Sequence, residues 1–137
     1  MASTHYAKNQ QLNHALRSVD YNTMPAYWYI GLSLSTIDES GDGVLEPTDK
    51  AYKRVPVVAT TAGWTTASSG SLVNKTTITF PQSTQHWGTV KEVFIASHSK
   101  LSGSYIWFHE AIDPPLAILD GTKLTIPASA IALDREE

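Results

Sequence analysis

The segment Asp38-Glu-Ser-Gly-Asp-Gly-Val-Leu-Glu-Pro-Thr-Asp49 holds the densest group of side chains able to do chemistry. Asp38, Ser40, Asp42 and Asp49 stand at the first, third, fifth and twelfth positions of a calcium-binding loop, with Gly43 at the sharp turn and Leu45 at the apolar position. A hard cation needs such clustered oxygens on a tightly turned backbone. Two features oppose calcium. The residues before the loop, Tyr29 to Leu34, pattern as a strand instead of an entering helix, and the twelfth ligand is Asp where a longer bidentate Glu is usual. A solvated acidic loop accounts for the same residues, so the expectation is no cofactor, with calcium as the alternative.

The remaining reactive side chains form no catalytic constellation. His5, His14, His86, His98 and His109 lack the spacing that sets two ligands on one face, and His109-Glu110 are neighbours that point to opposite sides of a strand. No Gly-x-Ser-x-Gly elbow occurs, and Glu46, Glu92, Glu110 and Asp113 have no sequence pattern that pairs them across a cleft. With no cysteine, disulfides and thiolate metal sites are ruled out. The expectation is a protein that is not an enzyme. Aromatic residues are the other resource: Tyr27, Trp28, Tyr29, Tyr52, Trp64, Trp87, Tyr105, Trp107 and Phe108. They either fill a core or offer ring faces to a sugar. Trp28, Trp64 and Trp107 read as core residues and Trp87 as a corner plug, while Trp87 and Tyr52 are the candidates for glycan contact.

The elements that must position these residues are mostly strands. From Ala7 to Val19, Leu12, Ala15, Leu16 and Val19 recur at helical steps among polar residues, with Thr4 as N-cap and Asp20, Asn22 and Pro25 as the stop. This amphipathic helix either lies on its own sheet or docks on a neighbouring subunit through Leu12, Leu16 and Val19. After Pro25 the chain is rich in Val, Ile, Thr, Tyr and Trp and is punctuated by Gly, Pro, Ser and Asp. Strands are predicted at Ala26 to Leu34, Tyr52 to Ala59, Ala62 to Trp64, Ser71 to Phe80, Val90 to Ser97, Tyr105 to Ala111, Leu116 to Leu119, Lys123 to Ile126 and Ala130 to Leu133. Pro56 marks its strand as an edge or a bulge. With about eight short strands and no crossover helices, the fold class expected is mainly β: an antiparallel, jelly-roll-like β-sandwich over 25–137, preceded by a helical arm over 1–24.

Composition limits the partners. Net charge is -3 and Lys and Arg are scattered, so the basic footprint of a nucleic-acid binder is missing. No run approaches a membrane span and the start lacks an apolar signal core, which predicts synthesis in the cytoplasm with no membrane partner. Charged residues are only 17%, which suits a surface partly covered by neighbours.

The stretch from Ile78 to Ile95 adds a more specific pattern, Ile78-Thr-Phe-Pro81 followed by Trp87-Gly-Thr-Val90. Together with Tyr29-Ile-Gly-Leu32, Glu46-Pro47, Tyr52-Lys-Arg-Val-Pro-Val57, Asn74, Gly103 with Trp107-Phe108, and Gly121 with Leu124-Thr-Ile126, it resembles a family of small tailed-phage virion proteins. These are tail-fibre-like or head-decoration proteins. The sequence departs from that pattern at Ala51 and Ser129, where Gly is common, and at the insertion-like bend Asp113-Pro-Pro115. The resemblance implies a non-enzymatic virion protein, assembled in the host bacterial cytoplasm and present in several copies. It would be a homo-oligomer such as a trimer, contacting other virion proteins such as the major capsid or tail proteins. It leaves open a capsid-decorating or a tail-associated place. The alternative is a carbohydrate-binding module for host-surface glycans.

Overall fold

The computed structural model describes residues 1–17, 25–68, 71–99 and 105–134. Within them lie β1 (Ala2–Ser3), α1 (His5–Arg17), β2 (Tyr27–Ser33), β3 (Val55–Val58), β4 (Ser71–Val73), β5 (Ile78–Thr79), β6 (Gly88–Ala96), β7 (Ile106–Ile118), β8 (Thr125–Ile126) and β9 (Ala132–Asp134). The protein is mainly β. A five-stranded antiparallel sheet runs in the order β1-β7-β6-β2-β3, and two small two-stranded sheets pair β4 with β9 and β5 with β8. The arrangement matches the sandwich expected from sequence.

Alternation along the central strands builds a core on each face of the large sheet. Ile30, Leu32, Val93 and Ile95 point to the side covered by the small sheets and join Tyr52, Val57, Trp64, Ile78, Phe80, Trp87, Val90, Ile118 and Ile131 in one cluster. Phe94, Ala96 and Ile106 point the other way and pack with Ile37 beneath the acidic loop. Directly across from Phe94, position 31 must be glycine: a Cβ there would lie 2.2 Å from the ring. The ring fills the space that the missing side chain leaves.

Two expected strands, Tyr105 to Ala111 and Leu116 to Leu119, are parts of the single strand β7, interrupted by a wide bulge. Val90 pairs with Leu116 and Glu92 with Ala111, so one residue of β6 faces Ile112 to Pro115. Neither proline can donate a ladder hydrogen bond, which is why the expected bend at Asp113-Pro-Pro115 becomes a bulge. Val90 and Val93 lie an odd number of residues apart beside this bulge, yet both reach the larger cluster. Pro56 lies on β3 at the edge of the sheet, as its missing N–H requires.

Other boundaries differ. Ala62 to Trp64 forms no strand, only a bridge from Trp64 to Asn74. Ser71 to Phe80 is split between β4 and β5, because Asn74 turns the chain: its amide donates to the carbonyls of Thr76 and Pro127 and accepts from the Ile131 N–H. The N-terminal residues do not stand apart as an arm, since Ala2 and Ser3 pair with His109 and Phe108 of β7. Thr4 caps α1 as expected, its hydroxyl accepting from the Ala7 N–H at 3.2 Å and donating to the Ile106 carbonyl at 2.6 Å. This cap ties the helix start to the sheet and begins α1 two residues before the position read from its apolar stripe.

Candidate functional site

The long connection from β2 to β3 is held by three buried polar anchors. At its start, the Ile37 N–H donates to Glu92 at 2.8 Å, and the other oxygen of that carboxylate meets His109 Nδ1 at 2.8 Å. In its middle, Glu46 receives Arg54 through two bonds of 3.0 Å and the Tyr52 hydroxyl at 2.7 Å. The Arg54 guanidinium also lies 4.9 Å from the centre of the Phe94 ring and donates to the His98 carbonyl. Tyr52 completes the chain by accepting the Leu32 N–H. Burial, followed by the neighbouring Glu46 charge, pushes the Tyr52 hydroxyl far above its ordinary range.

The third anchor is Asp49. Its carboxylate accepts from the Trp87 indole N–H and the Thr84 N–H, each at 2.7 Å, from the Thr84 hydroxyl, and from the Ala51 N–H at 3.0 Å. Burial raises the pKa of this carboxyl, but the bonds from Thr84, Ala51 and Trp87 outweigh that and hold it well below the usual carboxylate range. Asp49 is turned away from the other oxygens of the calcium-loop pattern. Asp38 is occupied locally, accepting the N–H groups of Ser40 and Asp42 at 2.9 Å, while Asp49 turns to Thr84 and Trp87. The four residues Asp38, Ser40, Asp42 and Asp49 therefore do not close on one point, and among the described residues no cluster of three His, Asp or Glu side chains forms a metal site. The sequence spacing was right for a loop and wrong for its last ligand, because Asp49 belongs to a turn that packs on the next layer.

The two expected glycan contacts are also corrected. Tyr52 and Trp87 are 4% and 3% exposed, sit edge to face at 5.3 Å, and direct their polar atoms inward to Glu46 and Asp49. Neither offers a ring face to a sugar. Trp87 is the plug expected at this corner, and Trp64 and Trp107 are core residues as read from sequence.

Two surface features remain. On α1 only Ala7 is fully buried; Tyr6 packs edge to face on Trp107 at 5.6 Å, while Leu12 is 51% and Leu16 79% exposed. The helix therefore rests on β7 by its first turns and presents its apolar stripe outward. Val19, the third residue expected in that stripe, lies outside the described residues. The second feature is a pocket of about 440 Å³ between β2, β6 and β7 on one side and the Ala59 to Thr65 connection on the other, with Trp28, Trp64, Phe108 and Leu72 among its walls. Gly63 closes this connection so tightly that a Cβ would stand 2.3 Å from the Val58 carbonyl oxygen. Sequence reading assigned Trp28 and Trp64 to the core and missed that they also border a cavity. The available signal was the run Thr60-Thr61 and Trp64-Thr65, which places hydroxyls and an indole on irregular chain.

Stacked sheet layers and buried polar ties hold the loop between β2 and β3, and apolar residues of α1 face outward. The family model described as podophage GP4 fiber I protein gp80 matches residues 2–134, and the chain belongs to this family. It is a phage fibre structural protein, associated with the virion. No curated protein matches the chain.

Proposed function

We propose that the chain is a non-enzymatic subunit of the phage fibre, present in several copies and joined to its neighbours through the outward stripe of α1. The observation that carries this reading is the exposure of Leu12 and Leu16, one helical turn apart, on a helix anchored at its other end. Leucines at i and i+4 on an open face are the anchors with which a helix enters a groove or pairs with another helix. Fibre-family membership supports a fibre-associated place over a capsid-decorating one. The partners are further copies of this chain, in a homo-oligomer such as a trimer, and the adjoining virion proteins. Assembly takes place in the host cytoplasm.

Sedimentation of the purified chain and of a Leu12→Glu, Leu16→Glu variant tests the reading. The parent is expected to sediment as an oligomer and the variant as a folded monomer. A parent that is monomeric at all concentrations and binds no virion component would overturn it.

A further inference from the structure

We propose that the pocket bordered by Trp28, Trp64, Leu72 and Phe108 receives Leu12 and Leu16 of a second copy of this chain, so that copies join head to tail. The proposal rests on the reading of α1 as the contact between copies and names what that helix enters. Both surfaces are apolar and open. No charged residue lines the pocket, whose floor on the large sheet is Trp28, Ile95 and Phe108, and Leu12 and Leu16 are 51% and 79% exposed. Leu16 stands nine residues beyond the buried Ala7, half a turn away around the helix, so the stripe faces away from the sheet that carries α1. The leucines therefore meet a pocket on another copy and not their own.

The dimensions agree. Strand β6 separates β2 from β7, which makes the floor about 10 Å wide, two strand spacings. Leu12 and Leu16 are separated by a rise of about 6 Å. A missing buried leucine leaves a cavity on the order of 150 Å³, so a pocket of about 440 Å³ has room for two leucines. It is also held open without an occupant. The Gly63 and Trp64 N–H groups donate to the Thr60 carbonyl at 3.0 and 3.1 Å, and the Lys75 N–H donates to the Gly63 carbonyl at 2.8 Å, which fixes the outer wall.

Area favours this arrangement over two α1 helices pairing across a two-fold axis. Two leucine side chains carry on the order of 200 Å² of apolar surface, against about 800 Å² contributed by each partner to a standard interface. Helix-to-helix pairing gives each copy that one small patch. Head to tail, every copy gives a helix and receives one, and a contact between unlike patches closes into a ring such as a trimer when its rotation permits.

The chain has no cysteine, so cross-linking between introduced thiols tests the pairing directly. Ala15, beside the stripe, and Thr61, on the pocket rim, are both exposed, and replacing them leaves the leucines in place. The whole chain carrying Ala15→Cys and Thr61→Cys, treated with a short bismaleimide, is expected to give a covalent ladder of dimer and higher species, while either single variant stays uncross-linked. Ala59→Glu, which sets a charge on the pocket wall, is expected to weaken association at least tenfold in sedimentation with an unchanged circular dichroism spectrum. Dimers formed by Ala15→Cys alone would overturn the proposal in favour of helix-to-helix pairing. An oligomer that Leu12→Glu with Leu16→Glu breaks, but in which the double-cysteine variant forms no intermolecular product or Ala59→Glu changes nothing, would overturn the pocket and leave the α1 contact standing. A chain that is monomeric at all concentrations would overturn both. Should Ala59→Glu not fold, the cross-linking result decides alone.

Discussion

Replacing Arg54 by Met tests whether the polar anchors, and not the strands alone, fix the long loop between β2 and β3. The Arg54 side chain is 0% and Glu46 4% exposed, and their two 3.0 Å bonds make a forked pair. Methionine roughly preserves the stem's volume but leaves the Glu46 carboxylate buried without its cation. Breaking a buried pair from one side costs about 3–5 kcal/mol. With a urea dependence of about 2 kcal/mol/M, the unfolding midpoint should fall by about 1.5–2.5 M. Tryptophan fluorescence is a suitable probe because Trp87 is tied to the same loop through Asp49. Adding Glu46→Leu removes the stranded charge and leaves chiefly the Tyr52 hydroxyl without its acceptor, a loss of about 1–3 kcal/mol. The double variant should therefore be more stable than Arg54→Met alone. An Arg54→Met loss below about 1 kcal/mol, the usual worth of an exposed pair, would refute the reasoning. So would a double variant that simply adds the two single losses, since residues in one network are expected to couple.

Four further outcomes follow from the packing. Gly31→Ala drives a Cβ into the Phe94 ring and should destabilise by about 1–3 kcal/mol in the same urea assay, with Phe94→Leu in the background recovering part of the loss. Acid unfolding should depend on Asp49. Its folded pKa is depressed, so its contribution is present above the unfolded value of about 3.9 and disappears as pH falls below it. Asp49→Asn should flatten the stability profile below about pH 4. For Tyr52 the sign is opposite: the raised hydroxyl favours folding below its unfolded value of about 10 and loses that contribution in stronger alkali, which Tyr52→Phe should remove from the alkaline limb. Leu12→Glu with Leu16→Glu should change unfolding by less than about 0.5 kcal/mol when measured on the monomer, since both side chains are solvent-facing.

Features governed by local backbone chemistry were legible in the sequence. Pro56 announced an edge strand, Thr4 a helix cap, and Asp113-Pro-Pro115 a break that became the bulge of β7. Each follows from one residue's own hydrogen-bonding capacity. The choice between core and surface for aromatic rings was only partly legible. Trp87 reads as a plug in its turn and is one, whereas Tyr52 and Trp87 as glycan contacts failed because both stand before their strands, β3 and β6, where no alternation sets a side, and the two rings cover each other. Asp49 shows the same limit. Its spacing from Asp38 fits a cation loop, but its partners Thr84 and Trp87 lie more than thirty residues away along the chain. The short pairing of Ala2 and Ser3 with β7 is likewise set by the sheet edge it meets and leaves no periodicity in two residues.

The central claim, a multicopy structural part of the fibre, is tested most directly by electron microscopy of intact particles carrying a labelled form of this chain. The account predicts label at several symmetry-related positions on the fibres of every particle. Label absent from purified virions, or confined to the capsid faces, would contradict it.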